Sequence, residues 1–312
     1  IDDEGNVWLA GENTGLIRLD GQTGETARYN AEEENARKLA TNSIRYVYAD
    51  SNDIIWVGTY NRGAYMIDKN AKKFDSYQRS EFVKAGLPGY NVRALAEDEA
   101  GDILIACDGG GLARLNTSTG ALRSEAWVNG KLDTRYLSAL LFDKEGNLWI
   151  GTWGTGVYKV NLESRTVENF KLESDGFGDN KVFCLYEDSR GTIWGGSVGS
   201  GLFYYDPASA HFVGLNDEVQ PHYLRKSAYV IDILEASDSS LWVATLFGLY
   251  RLDFRYENNY DVTLFAKNDQ PDSIGSYDIH TIYEDPDKTL WFGTGDYGLA
   301  LRPYGRPVFK HI

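Results

Sequence analysis

Along this chain the apolar residues come in short runs, many strictly alternating with polar ones, and the runs are separated by clusters of Asp, Gly, Asn and Ser. No long amphipathic helix can be read. Such a pattern predicts short β-strands joined by tight turns. The runs also repeat. DKEGNLWIGTWGTGVYKVN, from Asp143 to Asn161, returns as DDEGNVWLAGENTGLIRLD from Asp2, DSNDIIWVGTYNRGAYMID from Asp50 and DEAGDILIACDGGGLARLN from Asp98. It returns again as DSRGTIWGGSVGSGLFYYD from Asp188, ASDSSLWVATLFGLYRLD from Ala236 and DPDKTLWFGTGDYGLALRP from Asp285. The Trp slot holds Trp8, Trp56, Leu104, Trp149, Trp194, Trp242 and Trp291, at steps of 48, 48, 45, 45, 48 and 49 residues. A period in the forties with strand content is the mark of a β-propeller, one repeat per blade. The expected fold is all-β: a single domain over 1–312, a seven-bladed β-propeller of four-stranded antiparallel blades.

Repeat four shows how one blade is written. Tyr136 to Phe142 reads as strand A, the innermost strand, and Asp143 to Gly146 as a turn in which Asp bonds the turn backbone and Gly accepts φ > 0. Strand B is Asn147 to Thr152, with a large ring toward the outside followed by small residues where blades converge. A second turn ends on a glycine present in all seven copies: Gly15, Gly63, Gly111, Gly156, Gly201, Gly248 and Gly298. That position predicts a left-handed or otherwise strained backbone at the start of strand C. Strand D, for example Thr166 to Phe170 or Val308 to Ile312, is the irregular outer edge. The D–A connections vary most, and Glu32 to Leu39 and Glu81 to Ala85 read as short helical turns within them. They share a face with the B–C turns, where a ligand site is expected. Only Ile1 precedes the first turn, so blade one is expected to lack strand A and the chain to be a piece of a longer protein.

Composition narrows the partners. A formal charge of −15 argues against nucleic acid, whose phosphates need a basic face, and disfavours strongly anionic ligands unless a local basic pocket intervenes. There are two cysteines, Cys107 and Cys184; Cys107 takes the slot of a Thr or Ser and reads as a small core residue, not a disulfide partner or metal ligand. There is no apolar run of spanning length. The recurring turn aspartates read as turn chemistry rather than calcium ligands, and Glu32, Glu33 and Glu34 as a solvated helix start. Gly109–Gly111 and the GTWGTG run at 151 to 156 precede strands, whereas a phosphate loop opens a helix. No metal, cofactor or catalytic residue is implied by any spacing.

The consensus D-x-x-G-x-[LI]-W-[IV]-G-T-x-x-x-G-[LI]-x-x-[YL]-[DN] resembles the two-component regulator propeller repeat over all seven copies. Copy three departs at Leu104, copy five at Gly195, and copy six is one residue short in its B–C turn. The resemblance implies an N-terminal propeller in the periplasmic sensor region of a membrane-anchored hybrid histidine kinase, a type common in Bacteroidetes that responds to polysaccharide breakdown products. It implies further propellers and output domains in the same protein, attachment to the membrane only through segments outside this chain, and no catalysis by the propeller itself. It leaves a homodimer open. The virginiamycin-lyase-like propellers share a related G-x-[IL]-W motif, with catalysis by histidine and acidic residues near a metal. The four histidines here, His211, His222, His280 and His311, do not converge by position.

What departs from the scaffold marks the candidate site. Five residues before the turn Asp, strand A carries Arg45, Arg93, Ser138, Phe183, Ile231 and His280. Two arginines near the inner wall are either paired with acids such as Asp108 or Asp296 or used for a ligand. In the B–C turns the exceptional residues are Tyr60, Arg62, Trp153, Phe247, Asp296 and Tyr297. Aromatics flanked by bidentate donors suit a sugar face and its hydroxyls; Trp153 either serves there or packs on a neighbouring loop. With Tyr136, these residues and Arg45, Arg93 and His280 are the expected binding set for an oligosaccharide-type ligand. The alternatives are a platform for a protein partner with no small ligand, and a propeller lyase or hydrolase.

Overall fold

The structure, a computed structural model, describes residues 1–31, 39–50, 54–68, 73–77, 86–172, 180–215, 229–255, 260–268 and 273–312. The two expected helical turns, the Glu32–Glu34 triple and His222 fall in segments outside those residues, Leu39 excepted. The repeats become seven antiparallel sheets, each with its strands in chain order from edge to edge. Blade one is β1 (Val7–Gly11), β2 (Gly15–Leu19) and β3 (Thr26–Tyr29), three-stranded as expected. Blade two is β4 (Ile44–Ala49), β5 (Ile55–Thr59), β6 (Ala64–Asp68) and β7 (Lys73–Tyr77). Blade three is β8 (Asn91–Glu97), β9 (Ile103–Asp108), β10 (Gly111–Leu115) and β11 (Leu122–Ser124), followed by α1 (Ala126–Asn129). Blade four is β12 (Leu137–Phe142), β13 (Asn147–Thr152), β14 (Val157–Asn161) and β15 (Thr166–Phe170). Blade five is β16 (Val182–Glu187), β17 (Ile193–Ser197), β18 (Leu202–Asp206) and β19 (His211–Gly214). Blade six is β20 (Val230–Glu235), β21 (Leu241–Thr245), β22 (Gly248–Phe254) and β23 (Tyr260–Phe265). Blade seven is β24 (Ile279–Glu284), β25 (Leu290–Thr294), β26 (Leu299–Arg302) and β27 (Lys310–His311). The fold is a seven-bladed β-propeller. Its residues cluster into two compact units, 1–142 with 160–167, and 143–159 with 168–312.

The turn aspartate and the tryptophan six residues on are one device. The Asp Oδ1 accepts turn N–H groups while Oδ2 accepts the indole N–H: Trp8 to Asp2 at 2.7 Å, Trp56 to Asp50 at 2.9 Å, Trp149 to Asp143 at 2.7 Å, Trp194 to Asp188 at 3.0 Å and Trp291 to Asp285 at 2.7 Å. A buried indole N–H needs an acceptor, and the carboxylate supplies it. The two irregular copies keep the logic with other groups. In blade six Ala236 replaces the Asp, and Trp242 donates instead to Ser240 Oγ at 2.9 Å, which Asp238 accepts in turn. In blade three Leu104 has no N–H, and Asp98 receives the Arg114 guanidinium, which also meets Glu125 at 2.7 Å.

The core lies between blades, not within them. In the first unit, Trp8, Leu16, Ile44, Ile55 and Val57 join blades one and two, while Trp56, Leu95, Ile103, Ile105 and Leu115 join two and three. In the second, Trp194, Val230, Val243 and Tyr250 join blades five and six, and Trp242, Ile279, Phe292 and Phe309 join six and seven. The Trp rings expected toward the outside are therefore almost all buried. Trp149, for one, sits against Tyr205 and Phe212 of blade five. A polar clamp accompanies this packing. The glutamate ending strand A accepts the N–H of the second residue in the A–B turn of the blade before it: Lys144 to Glu187 at 2.9 Å, Ser189 to Glu235, and Ser237 to Glu284 at 2.8 Å. The short helix α1 was not expected. Its Asn129 amide both donates to Leu112 O and accepts from Leu112 N, each at 2.8 Å, so the side chain extends the outer edge that β11 leaves short.

Candidate functional site

The B–C turns are held by the small residues that precede them. Thr59, Thr152, Thr245 and Thr294 each donate to the carbonyl of the strand C glycine at 2.7–2.9 Å and accept an N–H from the turn. All seven of those glycines have positive φ, from 74° at Gly298 to 125° at Gly248. In four of them the N–H group ties the turn to the segment opening the next blade's strand A: Gly15 to Asn42 O, Gly63 to Tyr90 O, Gly111 to Arg135 O and Gly156 to Asn180 O. The turn tips and the strand A openings are thus fastened together, and the residues they carry share one end of the blades. GTWGTG and Gly109–Gly111 are parts of this arrangement and lead into β14 and β10.

Strand A contributes through a bulge. Pairing with strand B skips one residue in blades two, three, five, six and seven, between Ile44 and Tyr46, Val92 and Ala94, Val182 and Cys184, Val230 and Asp232, and Ile279 and Thr281. The skipped residues are Arg45, Arg93, Phe183, Ile231 and His280, the position the sequence singled out. A bulged residue is unpaired and its side chain is re-aimed, which frees this slot from the repeat pattern.

In the first unit the structure brings Arg45, Tyr60 and Arg93 together. Arg45 meets Glu12, in the B–C turn of blade one, through two hydrogen bonds of 3.0 and 3.3 Å, and its guanidinium stands 4.8 Å from the Tyr60 ring centroid. Arg93 faces Asp108 at 3.7 Å, and Asp108 accepts Asn91 Nδ2 at 3.0 Å. Burial draws the Arg93 guanidinium below its ordinary range; Asp108 opposes this, and Arg45 beside it acts in the same sense as burial. The pairing of Arg93 with Asp108 was among the sequence expectations; Glu12 was not. Tyr60 and Tyr136 are exposed, and the Tyr136 ring lies beside Gly109. Arg62 is exposed, and its N–H is bound by Thr59.

In the second unit the expected residues are more scattered. Trp153 is bridged through its backbone to Lys181 and packs edge-on to Phe183 at 6.4 Å, with 38% of its surface exposed. It both packs on blade five and presents a face. Phe247 is half exposed. His280 lies 2.8 Å from Asp278, and Asp296 accepts the Ser276 hydroxyl. Tyr297 is exposed and edge-on to His311 at 5.0 Å. Among the described residues no three His, Cys, Asp or Glu side chains converge as metal ligands. Cys107 is buried, its thiol pushed up to about 12 chiefly by burial, and neither cysteine is in a disulfide.

Sequence reasoning missed three residues. Tyr90, Tyr229 and Tyr277 are exposed at the openings of strand A, where Tyr136 also stands. The available signal was an aromatic seven or eight residues ahead of the turn residues Asp98, Asp143, Ala236 and Asp285. With Tyr60, Trp153, Phe247 and Tyr297 in the B–C turns, most of the large exposed apolar side chains among the described residues lie in B–C turns or at strand A openings.

The family described as two component regulator propeller matches residues 38–61, 130–154, 176–199 and 273–296, which cover the strand A, turn and strand B regions of blades two, four, five and seven. Four of the seven blades thus match the two-component regulator propeller repeat. Among solved structures it is similar to the extracellular domain of a chain assigned as a hybrid two component system from B. thetaiotaomicron, with 21% identity and a TM-score of 0.81. That likeness covers 97% of this chain and 39% of the other. A second such domain from B. thetaiotaomicron matches at 20% identity and TM-score 0.77, covering 98% of this chain and 40% of the other. The chain therefore spans about two fifths of the length of those relatives. Virginiamycin B lyase from Staphylococcus aureus matches at 15% identity and TM-score 0.69, covering 96% and 91%. These likenesses concern the fold. No curated protein sequence matches. Among the described residues no helix is long and apolar enough to cross a membrane.

Proposed function

We infer that this propeller is part of the periplasmic sensor region of a membrane-anchored two-component regulator, and that it receives an oligosaccharide-type ligand at the end of the blades bearing the B–C turns. The observation that carries this reading is the concentration of exposed aromatics there, Tyr60, Tyr90 and Tyr136 in the first unit, beside the bulged arginines Arg45 and Arg93. Aromatic faces bind the C–H faces of sugar rings, and guanidinium and carboxylate groups bind their hydroxyls. The repeat family supports the regulatory context. Ligand binding would then shift the equilibrium between arrangements of the paired sensor regions, which is how differential affinity becomes a signal. The propeller has no catalytic role in this reading.

A thermal-shift screen of polysaccharide breakdown products against the chain tests it. A true ligand at 100–1,000 times its Kd adds roughly 3–4 kcal/mol, enough to raise Tm by several degrees. Tyr60→Ala, at an exposed turn tip, is expected to weaken the hit at least tenfold while leaving the unliganded Tm unchanged. A hit insensitive to Tyr60→Ala and Arg93→Ala contradicts the site, and a gene encoding no membrane segment or kinase beside these repeats contradicts the sensor.

A further inference from the structure

The cluster in the first unit has a charge pattern that bears on what it can bind. Glu12, Arg45, Arg93 and Asp108 sum to zero, each guanidinium set against a carboxylate, and all four keep exposed side-chain surface. Arg45 spends both terminal nitrogens on Glu12, so an incoming anion would have to displace Glu12 or be held by groups already neutralised. Removing one partner of such a pair leaves the other charge uncompensated, which is costly where the pair is half buried. The chain's net charge of −15 adds repulsion for any anion approaching from solution.

A hydroxyl meets no such obstacle. It donates one hydrogen bond and accepts others, so a run of vicinal hydroxyls can donate to carboxylate oxygens and accept from guanidinium N–H groups without disturbing either ion pair. Glu12 is 53% exposed and Asp108 28%, so acceptors as well as donors are presented. Tyr60, exposed and with Arg45 over its ring, adds an aromatic surface near both guanidinium groups.

We propose that the Glu12–Arg45–Tyr60–Arg93–Asp108 cluster takes an uncharged saccharide, a neutral pentose or hexose oligosaccharide, and discriminates against uronate-bearing or sulfated ones. This rests on the oligosaccharide reading above and adds the charge class. Specificity here comes from acids that stand where a uronate carboxylate would otherwise dock, a repulsive element as well as an attractive one.

The test is calorimetric titration of the 312-residue chain with xylotetraose, cellotetraose, mannotetraose and arabinotetraose on one side, and trigalacturonate and a sulfated chondroitin disaccharide on the other. The expected result is binding of at least one neutral tetrasaccharide, with both acidic probes at least tenfold weaker. Arg93→Ala should weaken the neutral ligand at least tenfold, with Tyr60→Ala as the second variant because its exposed position spares the fold. The Glu12→Gln, Asp108→Asn double variant, which leaves two uncompensated guanidinium groups, should gain trigalacturonate binding. Acidic probes binding as tightly as neutral ones overturn this inference and leave the saccharide reading standing. Neutral binding unaffected by both Arg93→Ala and Tyr60→Ala places the ligand elsewhere and overturns the assignment to this cluster. Binding of no saccharide in either set overturns both.

Discussion

At the residue scale the repeat is a set of hydrogen-bond obligations, and the exceptions show which of them are essential. The tryptophan is used for the area it buries between blades, and its N–H then requires an acceptor, which the turn aspartate provides. Where the tryptophan is lost, at Leu104, the aspartate is retained and takes a guanidinium. One carboxylate serves neither turn nor indole. Asp232, beside the blade six bulge, accepts the N–H of Ile282 from blade seven at 2.8 Å and that of Ile233 at 2.9 Å. Burial, only partly opposed by these N–H groups and the Thr281 hydroxyl, pushes its carboxyl up to about 6. Such a group binds its proton more tightly folded than unfolded. Its contribution to stability is full below the ordinary carboxylate value and is lost as pH rises through about 6. Asp188 works the other way: burial raises its pKa, but Trp194, Arg190 and Thr192 outweigh that and hold it below its usual value, so its contribution is lost as pH falls. Urea titrations at about pH 5 and about pH 7 check the first case. Wild type should gain stability at the lower pH from Asp232, and Asp232→Asn should lose that gain; an unchanged difference between the two pH values contradicts it.

At the element scale, the strand C glycine and the strand A bulge divide the labour between scaffold and site. The glycine closes the B–C turn in a conformation other residues adopt only under strain. At Gly156, φ is 83° and an added Cβ would fall 2.1 Å from the Phe170 carbonyl oxygen. Gly156→Ala is therefore expected to cost about 2–4 kcal/mol, read as a fall in the urea midpoint, because strain and backbone displacement add. A change under about 0.5 kcal/mol would mean that the turn relaxes freely. The bulge does the opposite service. By leaving one residue of strand A out of the ladder, it lets that slot be Arg, Phe, Ile or His without changing the sheet, which is how a uniform blade acquires individual side chains.

At the scale of the whole molecule, the blade pairs one–two, two–three, five–six and six–seven pack through comparable slots, and the chain carries a net charge of −15. In the proposed cluster, Arg45 and Arg93 are each balanced by an acid. If the ligand is uncharged, its affinity should be nearly independent of salt: between about 0.05 and 0.5 M NaCl the Kd should change less than twofold, whereas attraction through net charge would weaken severalfold as screening sets in. Titration at the two salt concentrations separates these.

Blade count, strand order, the turn glycines and the slots at which blades differ are all legible in the sequence. Those features are local and periodic: a D-x-x-G turn, a Trp six residues on and a Gly opening strand C constrain their own backbone whatever surrounds them. The sequence also marked Arg45 and Arg93 as anomalies, without saying why the slot tolerates them. Which residues meet between blades is fixed in three dimensions alone. Glu12 and Arg45 are brought together across 33 residues, Trp153 divides its surface between Phe183 and solvent, and Tyr90, Tyr229 and Tyr277 are displayed instead of buried. Those pairings depend on a bulge that a strand's own alternation does not announce. They depend also on the backbone ties from Gly15, Gly63, Gly111 and Gly156 to the next blade, and neither feature leaves a period in the sequence to be read.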